Sequence, residues 1–399
     1  MKTYLKLELK KFLFSAKTIA VLIVLLFLGL YYSLVFIPNN PPLEKIDREQ
    51  IETQYNERKN FIDLDRITTN LHPSVATALA IFPEWNQKDK ARLMALDKEA
   101  YKEYAEHTAD WYQFSDEIYF NQILTTSRYP IIYYSLASGF GFEDGHYAYK
   151  RESAKYQQLA KISVPLTIPA MNEQTAVQVV ANEAGRYLPM ILIAALIFFL
   201  CDIVLMDRKY QTIEAGYPIT PLEKLVVKFT VALVGLLLTV VSLLPSFIIL
   251  SFKYGIGSLK YPIPIYQNDH LNNGHFETIS LQHYYLIFML SFLLVFIFLF
   301  LFIIFLSLVF KSEIINIAIP SFLLFCEPLY FIRGVGEFKP VEWYPSTYLK
   351  IGSIITGHQN YLYITMKLTV EKMIILFSIL IVIFILPVVL FSQRKGRKI

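Results

Sequence analysis

Two carboxylates fall inside long apolar stretches of this sequence, where an ionised side chain is costly and usually serves a purpose. Asp202 lies close to the end of its stretch, and Lys209 or Lys224 could neutralise it. Glu327 lies beside a proline near the end of another stretch, and Arg333 follows it closely. Each carboxylate either pairs with such a cation or lines a path for a polar substrate. We expect pairing to be the main role of both.

The residue patterns that catalysis needs are missing from the sequence. It contains no GxxxxGK[ST] phosphate-binding loop, no Rossmann glycine pattern, and no HExxH, GxSxG or CxxC motif. Asp269, His270 and His275 are residue types that bind metal ions, but they stand in a loop rich in Asn and Gly, and we expect no metal site there. We therefore expect no catalytic residue, no enzyme activity and no cofactor bound by this chain.

The elements that carry these residues are apolar enough to cross a membrane. Hydrophobic residues make up 55% of the 399 residues, charged residues only 18%, and the mean hydropathy is +0.42. A membrane-spanning helix needs about 20 apolar residues. Six segments meet that length and predict an all-α polytopic membrane protein with six transmembrane helices: residues 18–37, 187–206, 229–252, 284–310, 314–332 and 373–392.

The distribution of charge predicts which side of the membrane each segment faces. Residues 1–17 contain five lysines and one glutamate, and the tail at 393–399 contains four basic residues and no acidic one. Basic flanks favour the cytoplasm, so we expect both termini and residues 207–228 to be cytoplasmic. Residues 38–185 contain 21 acidic and 15 basic side chains, a net charge of −6, and we place 38–186 outside.

Several segments outside the spans have a predictable form. Residues 1–17 read as an amphipathic helix on the membrane surface, with lysines opposite Leu5, Leu9 and Phe12. Apolar residues spaced three or four apart predict a mainly helical extracytoplasmic domain at 38–186. We expect outer loops at 253–283 and 333–372, the latter with short helices that dip into the membrane. Cys201 and Cys326 lie near opposite membrane faces, so we expect no disulfide.

The charged segment at 207–228 stands between two apolar runs. Thr212 and Glu214 suit the start of a short helix, and Pro218 and Pro221 suit its end. Ile213 and Ile219, with Leu222 and Leu225, offer an apolar face. Such a cytoplasmic bridge could transmit movement from a soluble partner to the spans.

This segment resembles the cytoplasmic coupling segment of ABC-2 type transporter permeases. The matching steps are Thr212-Ile213-Glu214, then Pro218-Ile219-Thr220, then Lys228 at the start of the next span. The basic N-terminus, the order of spans, the large outer loop and WYPSTYLKIGSIITG are similar as well.

The resemblance implies a bacterial cell-membrane permease, paired with a second permease copy and with two copies of a separate ABC ATPase that binds ATP and Mg²⁺. An amphipathic or hydrophobic substrate, first of all an antimicrobial or bacteriocin-like peptide, would be moved across or out of the membrane, and membrane lipid would be a further partner. We expect no nucleic-acid partner. Two alternatives stay open: a membrane sensor or scaffold that binds a ligand, and a membrane enzyme acting on lipid-linked substrates.

Overall fold

The computed structural model describes residues 1–65, 72–124, 128–133, 139–209, 216–269 and 274–394. The described chain is mostly helical, as the apolar and amphipathic patterns predict. Five of its helices are long and apolar enough to cross a membrane. The length and composition of these helices indicate a multi-pass membrane protein.

The long apolar helices are named here in chain order. The first membrane helix, Ala16–Tyr31, continues through a π-helical turn, Tyr32–Phe36, to Asn39. The second is Leu188–Leu200, which resumes after a turn as Leu205–Lys209. The third is Pro221–Tyr254, the fourth is Leu281–Phe310, and the last helix is Val370–Arg394. An N-terminal helix, Lys2–Leu13, precedes them.

The third membrane helix begins at Pro221, earlier than the predicted start at residue 229, and the residues that cap it explain why. The Thr220 side chain accepts a hydrogen bond from the Glu223 backbone N–H, and the Glu223 carboxylate accepts one from the Thr220 backbone N–H, which forms a capping box. Pro221 occupies the first helical turn, where its missing N–H costs nothing. Pro221 thus begins the third membrane helix, whereas the predicted start of the short helix before it, at Thr212 and Glu214, lies outside the described residues. Lys228 lies two turns inside the helix rather than at its start.

The fifth apolar run, 314–332, does not form one continuous helix. Glu313–Phe325 is a helix of 13 residues, Cys326 interrupts it, and Glu327–Tyr330 adds a single turn. Pro328 accounts for the break, because its ring collides with the carbonyl four residues earlier and it has no N–H to donate. Thirteen residues span only about 20 Å. The continuous helix at 314–332 is a wrong prediction, and the six-span count stays a prediction.

The helix bundle has two ends, and contacts between the helix termini identify the residues that lie at one of them. At the base end, Lys17 pairs with Asp202, and the Cys201 thiol lies 3.7 Å from the Glu313 carboxylate. Phe305 and Phe384 pack together with ring centroids 5.4 Å apart, so the last helix descends toward this end as well. The start of the first membrane helix and the end of the last helix thus share the base end. That this end faces the cytoplasm stays a prediction.

The region between the first two membrane helices, here the head region, is helical as predicted. Its longer helices are Arg48–Asp65, Pro73–Asp97, Tyr101–Phe120 and Gly141–Lys161, followed by the shorter Ala176–Ala184. The core is aromatic, and Tyr104, Tyr112, Tyr149 and Tyr156 are all buried. The stripe predicted over 93–118 belongs to two stacked helices, which separate at residues 98–100. Its placement outside the cell stays a prediction.

The predicted loop at 253–283 contains a structure that the sequence analysis did not foresee. Pro262–Gln267 and His275–Ser280 pair as an antiparallel hairpin above the membrane helices. Further along, residues 333–369 form short helices, which include Ile351–Ile355 and His358–Tyr363. Gly357, with φ +70°, lies between them, and any Cβ there would meet the Tyr266 carbonyl oxygen at 2.0 Å. This glycine lets the hairpin and the short helices pack closely.

Candidate functional site

The residues that carry the proposed coupling role are only partly described. Thr212, Ile213 and Glu214 lie outside the described residues. Pro218 and Ile219 belong to an extended segment that leads into the third membrane helix, where Pro218 is exposed and Ile219 is half-buried. Lys228 is 4% exposed and lies at the centre of a set of buried charges.

Three buried charges, Glu8, Asp207 and Lys228, together with the half-buried Lys11, are called the Lys228 cluster below. The Lys228 ammonium donates to the Asp207 carboxylate at 2.8 Å and to the Ile203 carbonyl at 2.5 Å. The Glu8 carboxylate lies 3.4 Å from the same ammonium and 2.7 Å from that of Lys11. Burying charges is costly unless each has a partner. The cluster therefore fixes the N-terminal helix, the end of the second membrane helix and the third membrane helix relative to one another.

Aromatic contacts extend this junction toward the segment at 216–220. The rings of Tyr4 and Tyr217 meet edge to face, with centroids 5.4 Å apart. The Lys224 ammonium lies 5.9 Å from the centre of the Tyr4 ring, a cation–π arrangement. Tyr4 is completely buried. The N-terminal helix, which was predicted to be amphipathic, thus packs the side that carries Tyr4 against the rest of the protein.

The two carboxylates inside apolar stretches are paired, but with partners other than those predicted. Asp202 pairs with Lys17, a partner that the sequence analysis did not name, because the first membrane helix begins beside the end of the second. Glu327 pairs with Lys350 at 2.7 Å and accepts a hydrogen bond from Tyr363 at 3.0 Å.

Arg333, the partner predicted for Glu327, lies elsewhere. Its guanidinium pairs with Asp144 of the head region at 2.6 Å and donates to the Tyr361 hydroxyl at 2.5 Å. These contacts attach the head region to the short helices at 351–363. In each of these pairings, the partner comes from a distant part of the chain.

The expectation that the cysteines are not linked is confirmed, since Cys201 and Cys326 are both free thiols. Within the described ranges, no group of three His, Cys, Asp or Glu side chains is arranged to hold a metal ion. Asp269 and His275 are exposed, and His270 lies outside these ranges. His275 has only a distant contact, 3.9 Å, with Glu277.

Sequence reasoning missed a cavity of about 830 Å³ at the head end, called the head cavity below. It lies between the helix Gly141–Lys161, the π-helical turn Tyr32–Phe36, the helix Ala176–Ala184 and the short helices at 351–363. Cavities of roughly 300–1,000 Å³ are typical of small-molecule sites. π-Helical turns inside α-helices are frequent at functional sites.

Part of the wall of the head cavity is a network of ion pairs. The Arg151 guanidinium contacts both oxygens of Glu173 at 3.0 Å. Lys155 is 3.4 Å from Glu173 and also pairs with Glu152. Burial opposes the ionisation of Glu173, but the charges of Arg151 and Lys155 outweigh it and lower the pKa of Glu173 to about 2. This network keeps its charges and braces the wall.

Three other polar groups in the wall lie outside this network of ion pairs. Burial, with the negative charge of Glu152, raises the pKa of Glu44 to about 7. Burial and the charges of Arg151 and Arg186 lower the pKa of His358 to about 4, so its imidazole is neutral at pH 7. The side-chain carbonyl of Gln359 is buried and accepts no hydrogen bond from the described residues. The head cavity can thus hold polar parts of a ligand.

Comparisons with known proteins do not add a name to this geometry. No family model, no curated protein and no solved structure matches the chain. The site is therefore described by its own residues: the Lys228 cluster at the base end and the head cavity at the head end of one helical bundle.

Proposed function

We propose that the chain is the permease subunit of an ATP-driven exporter in the bacterial cell membrane. The observation that carries the proposal is the Lys228 cluster. It lies next to the segment that resembles an ABC-2 coupling segment, and it joins that segment to three helices through buried ion pairs. A partner that moves residues 207–220 would move these helices together.

The third membrane helix offers a route from the base end to the head end. Its 34 residues correspond to about 50 Å. Near its far end, Leu250 and Tyr254 pack with Val179 and with Tyr32 of the π-helical turn. Val179 and Tyr32 also line the head cavity. Displacement at the base end would therefore reach the cavity wall through continuous packing.

The proposal assigns ATP hydrolysis to a separate subunit, because this sequence has no motif for binding ATP. Without a phosphate-cradling motif, the chain needs a separate ABC ATPase to bind ATP and Mg²⁺. The resemblance implies two ATPase copies and a second permease copy. The aromatic and charged lining of the head cavity suits an amphipathic substrate, such as an antimicrobial or bacteriocin-like peptide, and Tyr133, Tyr147 and Tyr187 are among its aromatic residues.

Purification of the full chain from its own membrane tests this proposal. We expect an ABC ATPase to remain bound in mild detergent, and we expect its ATP hydrolysis to change when amphipathic peptides are added. A chain that purifies alone, and does not bind the ATPase encoded beside it after co-expression, would overturn the proposal.

The head cavity also favours a second candidate function, a ligand-binding membrane sensor. A sensor would bind its ligand through the head cavity without any ATPase and would transmit the signal through the same third helix. Transport assays in vesicles separate the two functions, because only an exporter moves substrate when ATP is supplied to a reconstituted complex.

A further inference from the structure

The head cavity opens at the level where the membrane helices end. Phe36 at the end of the first membrane helix is 38% exposed, and Tyr187 just before the second is 65% exposed. Both residues line the cavity, together with Met190 one turn further along. Tyr187, with its polar hydroxyl, is of the type that favours the boundary between lipid and water, and Phe36 adds apolar surface beside it. The mouth is therefore accessible from the lipid layer at the head end.

An exposed apolar surface continues from the mouth along the first membrane helix. Leu34 and Tyr31 are each 58% exposed, and Phe27 is 65% exposed. From Phe27 to Phe36, the Tyr31 hydroxyl is the only polar side-chain group among the exposed residues described there. Acyl chains of a lipid could remain against it while the head group occupies the cavity.

The polar groups that line the head cavity indicate which kind of lipid head group fits it. Arg186 lines the cavity, is exposed, and forms no ion pair with the described residues. Gln359 is 1% exposed, and its buried carbonyl has no hydrogen-bond donor among the residues described. One oxygen of Glu44 is likewise buried without a donor there, although the other accepts from Tyr112. A buried acceptor without a donor is costly, and a ligand that supplies the donor removes that cost.

We propose that the head cavity binds a phospholipid whose head group carries a phosphate and a primary ammonium, with Arg186 contacting the phosphate and Gln359 and Glu44 accepting from the ammonium. Guanidinium groups bind phosphate strongly. A primary ammonium has N–H donors for the acceptors, whereas a trimethylammonium has none. This assignment does not rest on an ATPase and holds for a sensor as well.

The experiment uses the purified full chain and three dioctanoyl phospholipids with ethanolamine, choline or glycerol head groups. Dissociation constants come from native mass spectrometry. We expect the ethanolamine lipid to bind about 10-fold more tightly than the choline lipid, the size expected for hydrogen bonds to a charged group. Arg186→Gln should weaken the ethanolamine and glycerol lipids alike, while Gln359→Leu should weaken only the ethanolamine lipid.

Matched controls keep the test specific. Lys98→Gln and Gln87→Leu remove similar groups from exposed positions of the head region and should leave every dissociation constant unchanged. If Gln359→Leu does not fold, Gln359→Glu replaces it; this variant keeps an acceptor and should retain the preference for ethanolamine. Equal binding of the three lipids, or wild-type binding by Arg186→Gln, would overturn the assignment. Arg186-dependent binding of a cationic amphipathic peptide, with no lipid bound, would also overturn it.

Discussion

Glu8 and Lys228 are 220 positions apart in the sequence, yet the Glu8 carboxylate and the Lys228 ammonium lie 3.4 Å apart and buried. One residue belongs to a helix that precedes the membrane helices, and the other to the third of them. Because Asp207 contacts the same ammonium, three separate chain segments converge on one cation. The base end is therefore a joined unit rather than a set of independent helix ends.

The first prediction concerns Lys228→Met, which keeps the length of the side chain and removes its charge. Two carboxylates would lose their shared cation in a buried site, and breaking a buried pair typically costs about 3–5 kcal/mol. We expect a large fall in the melting temperature of the purified protein. Lys253→Met, at an exposed position near the other end of the same helix, should change it little. Equal melting of both variants would contradict the role of the cluster.

A second prediction concerns topology. In a background with Cys201 and Cys326 replaced by alanine, a single cysteine at Asp97 should react with an impermeant maleimide in intact cells. A single cysteine at Lys2 should react only after the membrane is permeabilised. Both positions are exposed, so a difference in labelling reports the side of the membrane. Labelling of Lys2→Cys from outside intact cells would refute cytoplasmic termini.

The apolar helices could be predicted from composition, whereas the partners of the charges could not. A run such as 284–310 needs no tertiary information, because only a helix satisfies its own backbone in lipid. The pairing of Asp202 with Lys17 depends on which helix end lies beside it, and distance along the sequence does not reveal that. Lys17 is 185 positions away and reaches Asp202 only because two helices run antiparallel.

The head cavity could not be predicted from the sequence for the same reason. Its wall combines Tyr32, Arg151, Glu173 and His358, which no local motif connects. The break at Cys326 was predictable in part, because Pro328 stands within the apolar run. The prediction of one continuous span gave more weight to the hydrophobicity of the run than to this proline. The hairpin was missed because one of its strands begins Pro-Ile-Pro-Ile, a sequence that is typical of a loop.

A third prediction concerns the pH dependence of stability. With the pKa of Glu44 raised to about 7, from 4.5, the folded protein keeps a proton that the unfolded chain releases in this range. Stability from this proton is fully present at pH values below 4.5 and is lost as the pH rises through 7. Glu44→Gln, which stays neutral, should therefore melt higher than the wild type at pH 8 and close to it at pH 4.5.

Melting curves of both proteins between pH 4.5 and pH 8 measure this difference. Glu106→Gln, an exposed glutamate of the head region, serves as the control and should follow the wild type at every pH. A constant difference between Glu44→Gln and the wild type across the range would show that Glu44 does not titrate there.

The proposed coupling of the chain to an ATPase is tested most directly by the double variant Glu214→Lys, Ile219→Asp. Reversal of the charge at 214 and a carboxylate at the half-buried Ile219 should disrupt an interface built on a charge pair and an apolar anchor. The matched control, Glu277→Lys with Ile256→Asp, makes the same changes at exposed or half-buried positions near the head end. The measurement is the amount of ATPase that co-purifies with equal amounts of membrane-inserted permease, together with ATP-driven export in vesicles. We predict that the coupling variant loses both while the control keeps both. A coupling variant that retains a bound ATPase and full export would contradict the assignment of residues 207–228 as the site of coupling.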